Sequence, residues 1–189
     1  FRRVLFRSAH LAPGDIDCFA VSRAPRAHLW RKVLFAARHR PDVRLIKDRA
    51  RNLAAVDAVH ARLAAVLGLP ARHVQRRLRH IEHHPAHLAS AFFVSPFELA
   101  AVCAIDGFGD FVSTMWGTGR GSRISVDSWV EFPHSMGLLY TAITQYLGFA
   151  KYGDEFKVMG LAPYGEPEYV DAVRKIVKTT KSRSEEHTS

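Results

Sequence analysis

The sequence predicts an α/β chain, helices alternating with the strands of a mixed α+β sheet, from three observations. Residues 51–67 repeat apolar side chains at three- and four-residue spacing, the run AAVCAID at residues 100–106 is short and apolar, and a glycine turn and a further strand pattern follow it directly. The first is the period of a helix face, the second has the length and composition of a buried strand, and the third marks an antiparallel return.

Taken in order, Leu53, Val56, Val59, Leu63, Val66 and Leu67 form one stripe of the first helix, which Gly68 and Pro70 end. Residues 78–82 read as a short strand. Pro85 then offers a first helical position for the apolar run 86–94, which ends near Ser95-Pro96. The strand over 100–106 delivers Asp106 at its carboxyl end, Gly107, Gly109 and Asp110 form a tight turn, and a second strand covers 111–116. A glycine-rich hairpin turn over 117–122 leads to a third, antiparallel strand carrying Ile124, Val126 and Val130. Ser135 caps a helix over 136–147 that Gly148 closes. Residues 153–165 mix one helical turn with loop, and 168–178 form a last amphipathic helix. No internal repeat or low-complexity tract interrupts this order.

A hydrophobic content of 48% over 189 residues fits a soluble globular domain with a sizeable core. No apolar run approaches the length of a bilayer span, so no membrane is expected as a partner. Cys18 and Cys103 are far apart and form no C-x-x-C pair, which argues against a disulfide framework or a thiolate zinc site and makes a reducing cytoplasm the expected location. The net charge of +9 comes mostly from arginines between residues 23 and 79, including RHVQRRLRH at 72–80. Such a run is either a phosphate-binding face or a solvated arginine-rich surface; without interleaved aromatics or a nucleic-acid motif, nucleic acid is not an expected partner.

Both ends read as foreign. Residues 183–189 (RSEEHTS) are what a common short-read sequencing adapter encodes, and residues 1–8 (FRRVLFRS) are what its reverse complement encodes. Residues 9–182 are then the natural segment, and removing four arginines and two glutamates lowers the net charge from +9 to +7.

The densest site candidate is IEHHPAHLASAF, in which His83 and His87 stand four residues apart. On a helix that spacing sets two imidazoles on one face, as a divalent metal needs from two of its ligands, although surface or capping histidines fit the string equally. Asp106, at the tip of the next strand, would add a carboxylate, with a turn-forming aspartate as its plainer reading. Two imidazoles and one carboxylate with open positions suit iron(II), zinc or manganese. His84 reads as a capping or supporting residue. The turn DGFGD followed by Ser113-Thr114 has the make-up of a phosphate hairpin, in which glycines let N–H groups approach oxygens, but D-G-x-G also describes ordinary hairpins.

EHHPAHLASAFFVSPFELAAV, DGFGD with Ser113-Thr114, FPHSMGLLYTAITQYLGF and EFKVMGLAPYGEPEY follow one another across residues 80–178. In that order they resemble the carbamoyltransferase family of nodulation-factor and antibiotic biosynthesis. The family's catalytic domain is similar to the tRNA threonylcarbamoyl-transfer protein, so the resemblance implies part of an actin-like ATPase, ribonuclease H-like domain of the actin, sugar kinase and heat-shock ATPase superfamily. It implies His83, His87 and Asp106 as ligands of iron(II) or another divalent metal, and Gly107 and Gly109, with Asp110 and Ser113, at a phosphate. His134, Glu155 and Lys157 fall on family motifs; Glu155 and Lys157 would line the nucleotide cleft, and His134 and Lys157 are the candidate catalytic groups, Lys157 having a surface lysine beside Glu155 as its alternative.

The implied activity is transfer of a carbamoyl group from carbamoyl phosphate, through an ATP-derived carbamoyl-adenylate, to a hydroxyl or amine of a sugar-containing small molecule. A first strand and hairpin are expected before residue 9. A further metal aspartate, the adenosine pocket and a separate adenylate-forming domain are expected after residue 178, so this segment alone should be inactive. Within the fold the alternatives are tRNA threonylcarbamoyl transfer and carbamoyl transfer in hydrogenase maturation, against which PHSMGLLYTAITQYLGF speaks. From another class, the alternative is a non-catalytic ATP-binding chaperone-like domain, in which the histidine pair would have no role.

Overall fold

In the computed structural model, which describes residues 11–39, 56, 58–151, 153–179 and 184–186, the chain divides into two compact units, Phe1–His83 and His84–Ser189. Helices and strands are interspersed, and among the described residues one sheet is parallel and two are antiparallel, so the mixed α/β class holds.

In the first unit, β1 (Phe19–Val21) pairs in parallel with β2 (Leu78–His80). Between them in sequence come α1 (Leu29–His39), α2 (Val59–Leu67) and α3 (Ala71–Arg77). Phe19, Ala64, Leu67 and Val74 form the core, with Leu63 and Leu78 packed on it. Gly68 takes φ 69° and Leu69 N–H returns to the Ala64 carbonyl at 3.0 Å, the left-handed helix end that glycine permits. The predicted stripe is only partly the buried one. Val66 is 55% exposed and Ala64 takes its place, because the face turned to Phe19 and Val74 runs through Leu63, Ala64 and Leu67; Leu53 lies outside the described residues. The arginine run folds as α3, whose one buried residue is Val74, and Arg72, His73, Arg76 and Arg77 line a surface cavity of about 350 Å³.

The second unit is built on α4 (His83–Phe92), whose first residue closes the first unit. The helix starts before Pro85 instead of at it; a proline in the first turn removes no helical hydrogen bond, since that N–H has no partner there. An antiparallel sheet follows in the order β3 (Leu99–Gly109), β4 (Val112–Arg120), β5 (Arg123–Glu131). Leu88 and Phe92 of α4 lie on this sheet against Val102, Ala104, Val112 and Met115. Burying a side chain of this kind stabilises by roughly 1.5–3 kcal/mol. Then come α5 (Met136–Tyr146), packed on β3, α6 (Glu155–Leu161) and α7 (Val170–Ile176). The last helix is shorter than predicted because Val177 opens β6 (Val177–Thr179), which pairs with β7 (Ser184–Glu186) inside the terminal stretch read as foreign. Among the described residues no helix is long and apolar enough to cross a membrane.

Two glycine assignments change. The turn between β3 and β4 is Asp110 and Phe111, at φ 53° and 83°, while Gly107 and Gly109 belong to β3. Positive φ at both central residues is what a two-residue hairpin turn of type I′ requires. Phe108 and Phe111 both pack on Phe132, with ring centroids 4.9 and 5.8 Å away. Likewise, the turn between β4 and β5 is only Gly121-Ser122, and Gly117 and Gly119 are strand residues. A Cβ at Gly119 would lie 2.6 to 2.7 Å from the Phe92 ring, so this glycine serves close packing, not chain reversal. Among the described residues β3 forms one edge of the sheet. Ala100, Val102 and Ala104 face the core side, while Leu99, Ala101, Cys103 and Ile105 alternate to the exposed side, Ile105 at 66% exposure.

Gly119→Ala should destabilise the protein by about 1–3 kcal/mol through overpacking. In a Phe92→Ala background the same change should cost much less, and denaturant unfolding of the four proteins of this cycle measures the difference; equal costs in both backgrounds would mean that the ring is not the obstacle.

Candidate metal centre

The β3–β4 ladder is regular from Leu99 opposite Arg120 to Ile105 opposite Thr114 and resumes with Gly109 opposite Val112. Residues 106–108 therefore face Ser113 alone, a bulge that takes Asp106 and Gly107 out of the ladder. There the Gly107 N–H donates to Asp106 Oδ1 at 2.6 Å, which fixes the carboxylate and leaves Oδ2 3.8 Å from His87 Nε2. His83 and His87 are one turn apart on α4. One ligand atom from each of His83, His87 and Asp106 lies within 4.8 Å of the other two. His83 Nδ1 is 3.4 Å from the Ser22 carbonyl, a contact that favours a proton on Nδ1 and a lone pair on Nε2. His84 turns the other way: it is buried, with its ring edge-on to that of His87 at 6.3 Å.

Two neutral imidazoles and a carboxylate are a donor set that a divalent cation fits, and the His87 and Asp106 side chains are 51% and 42% exposed, so further ligands can reach the same point.

Behind Asp106 stands the start of α5. Ser135, its N-cap, accepts the Leu138 N–H at 3.1 Å and donates its hydroxyl to the Gly107 carbonyl at 2.7 Å, with the Asp106 carbonyl at 3.3 Å. A Cβ on Gly137 would lie 2.7 Å from the Asp106 C and O and from the Gly107 N. Ser135 reads from sequence as a cap only; its second hydrogen bond and the role of Gly137 have no local sequence signal.

The other expected residues fall as follows. Gly109 is buried at the end of β3, and Asp110 forms the hairpin turn. Ser113 is fully buried, and its hydroxyl donates to the His134 carbonyl at 2.6 Å, with the Val130 carbonyl at 3.4 Å. His134 follows the cis Phe132-Pro133 bond and donates its N–H to the Glu131 carbonyl at 3.0 Å.

Glu155 and Lys157 belong to a second polar group. Asp154, buried, holds Lys157 Nζ at 2.7 Å and accepts the Lys151 N–H at 3.2 Å, and the ammonium is 5.8 Å from the Phe149 and Phe156 rings. The hydrogen bond from Lys157 holds the Asp154 carboxyl below its ordinary value. Glu155 accepts the Thr141 hydroxyl at 2.6 Å, and that bond lowers its pKa too. Lys157 thus pairs with Asp154 rather than with Glu155, a partner that the i, i+3 spacing could have revealed.

Residues 44–187, most of the chain, match the family described as Carbamoyltransferase N-terminus. The chain belongs to the carbamoyltransferase family. Among its relatives, "Uncharacterized protein sll1178" of Synechocystis sp. is 52% identical over 92 residues, 49% of this chain and 15% of that protein. "Nodulation protein NolO" of Bradyrhizobium diazoefficiens is 48% identical over 90 residues, 47% of this chain and 16% of that protein. "Nodulation protein NolNO" of Sinorhizobium fredii is 43% identical over 91 residues, 48% of this chain and 13% of that protein. This carbamoyltransferase-family chain therefore spans only a small part of the length of the curated relatives it matches.

Because the paired Asp154 carboxylate sits below its ordinary value of 3.8, its contribution to stability is fully present above that pH and is lost as pH falls through the lower folded value. Asp154→Asn should destabilise the protein at neutral pH and give a shallower loss of stability on acidification below 3.8 than the wild type. Denaturation midpoints across that range test it, and parallel pH profiles for the two proteins would mean that the Lys157 bond adds nothing.

Proposed function

We propose that the protein of which this chain is a part is a metal-assisted carbamoyltransferase of the cytoplasm. It takes the carbamoyl group of carbamoyl phosphate, by way of an ATP-derived carbamoyl-adenylate, to a hydroxyl or amine of a sugar-containing small molecule. The family match supports the reaction class, and one observation carries the metal: His83, His87 and Asp106 converge to within 4.8 Å from a helix start and a strand bulge.

When bound at these residues, iron(II) or a similar divalent ion supplies Lewis acidity to a phosphate oxygen of the donor. The chain's own groups would do the rest of the work here. His83 and His87 would present imidazole nitrogens, and Asp106 would present Oδ2 while the Gly107 N–H occupies Oδ1. Gly107, Gly109 and Asp110 belong to the hairpin that carries Asp106, the segment that would face the phosphate. Thr141 donates to Glu155 and holds its carboxyl below the ordinary value, the state in which a carboxylate accepts from a ribose hydroxyl, and Lys157, paired with Asp154, would offer an ammonium to phosphate.

In the full-length enzyme, replacing both His83 and His87 by Ala, or Asp106 by Asn, should lower affinity for Co²⁺ or Fe²⁺ by more than the roughly 10–100-fold expected from losing an outer partner, and abolish carbamoyl transfer. Metal content measured after dialysis decides the matter: a double histidine variant that retains its metal sinks this reading.

A further inference from the structure

We propose that Ser135, acting with Gly137, is a positioning residue for the Asp106 carboxylate and so for the metal centre; the inference rests on the metal reading above. The bulge takes residues 106–108 out of the β3–β4 register, so regular strand pairing does not set the orientation of the Asp106–Gly107 peptide. One hydroxyl spans this junction. It donates to the Gly107 carbonyl at 2.7 Å, with the Asp106 carbonyl at 3.3 Å, and its lone pair receives the Leu138 N–H at 3.1 Å.

The same contact controls a side chain. The Asp106–Gly107 peptide carries the N–H that holds Asp106 Oδ1 at 2.6 Å, so the orientation of that peptide decides whether Oδ2 faces His87. Ser135 grips the next carbonyl, and Gly137 lets the helix rest on the peptide itself, where a Cβ would lie 2.7 Å from Asp106 C and O and Gly107 N. A helix start that only needed capping would require neither the hydrogen bond to Gly107 nor a glycine at its second position.

Ser135→Gly separates the two roles, because glycine at an N-cap costs only a few tenths of a kcal/mol but has no hydroxyl. In the full-length enzyme the probe is Co²⁺, read by its visible absorption envelope and by titration. Ser135→Gly should bind Co²⁺ about 10-fold more weakly with an altered envelope, the size of effect seen for outer partners of metal ligands, and Ser135→Thr should restore both. A Ser135→Gly protein with the wild-type envelope and affinity overturns the proposal, even if its metal-free melting temperature falls. Hydrogen exchange on the metal-free wild type gives a second test that needs no variant: the Gly107 amide should be protected, and exchange there at the rate of an open loop overturns the proposal. If wild type and the His83→Ala/His87→Ala variant take up Co²⁺ equally, the metal reading itself has failed and this inference falls with it, an outcome read on the histidine variant and not on Ser135.

Discussion

The rotation of α4 about its own axis decides whether two imidazoles can meet a carboxylate from the sheet. His84, Leu88 and Phe92, at intervals of four, are the buried residues of the helix. An α-helix turns 100° per residue, so fixing that row in the core also fixes the row beside it, which contains His83 and His87. Those two side chains therefore stand at the rim of the buried stripe, neither sealed under the sheet nor free on the far side. The energy that orients them is the burial of Leu88 and Phe92 against Val102, Ala104 and Met115; the site borrows its rigidity from the core.

The strand supplies the other half by a different device. Val102 and Ala104 point to the face that α4 covers, and Asp106 has the same parity, so the pleat already sends it toward the helix. A regular strand would hold it in line with the ladder. The bulge frees it to turn, and the start of α5 holds the displaced peptide through Ser135. Helix, strand and following helix thus each contribute one constraint, and every one of them lies within residues 83–138.

How much of this could be read from sequence follows from whether the cause is local. The helix around residues 86–92, the strand through residues 100–106 and the Ser135 cap were legible because spacing, an apolar run and a capping residue are short-range signals, while the helix start at His83 and the continuation of β3 past Asp106 to Gly109 were not. The histidine pair could be seen but not interpreted, since its meaning depends on Asp106 nineteen residues later and on the rotation of α4. Gly117 and Gly119 read as a turn because glycine looks the same whether it bends a chain or makes room for Phe92; only the packed neighbour distinguishes the two. In the first unit α3 was hidden because Val74, its one buried residue, stands among arginines and gives no period to detect, and β1 with β2 is a pairing of segments far apart in sequence.

The edge of the sheet has a practical corollary. β3 is eleven residues long, carries neither lysine nor proline, and shows Leu99, Ala101, Cys103 and Ile105 on one side with no neighbouring strand on its outer edge among the described residues. Charges, prolines and short length are what keep such edges from recruiting strands of other molecules, and the one acidic group here, Asp106, is turned away into the bulge. Prepared in isolation, the segment is therefore prone to self-association through this strand, and its solubility is a matter of what lies alongside residues 99–105 as much as of its own core.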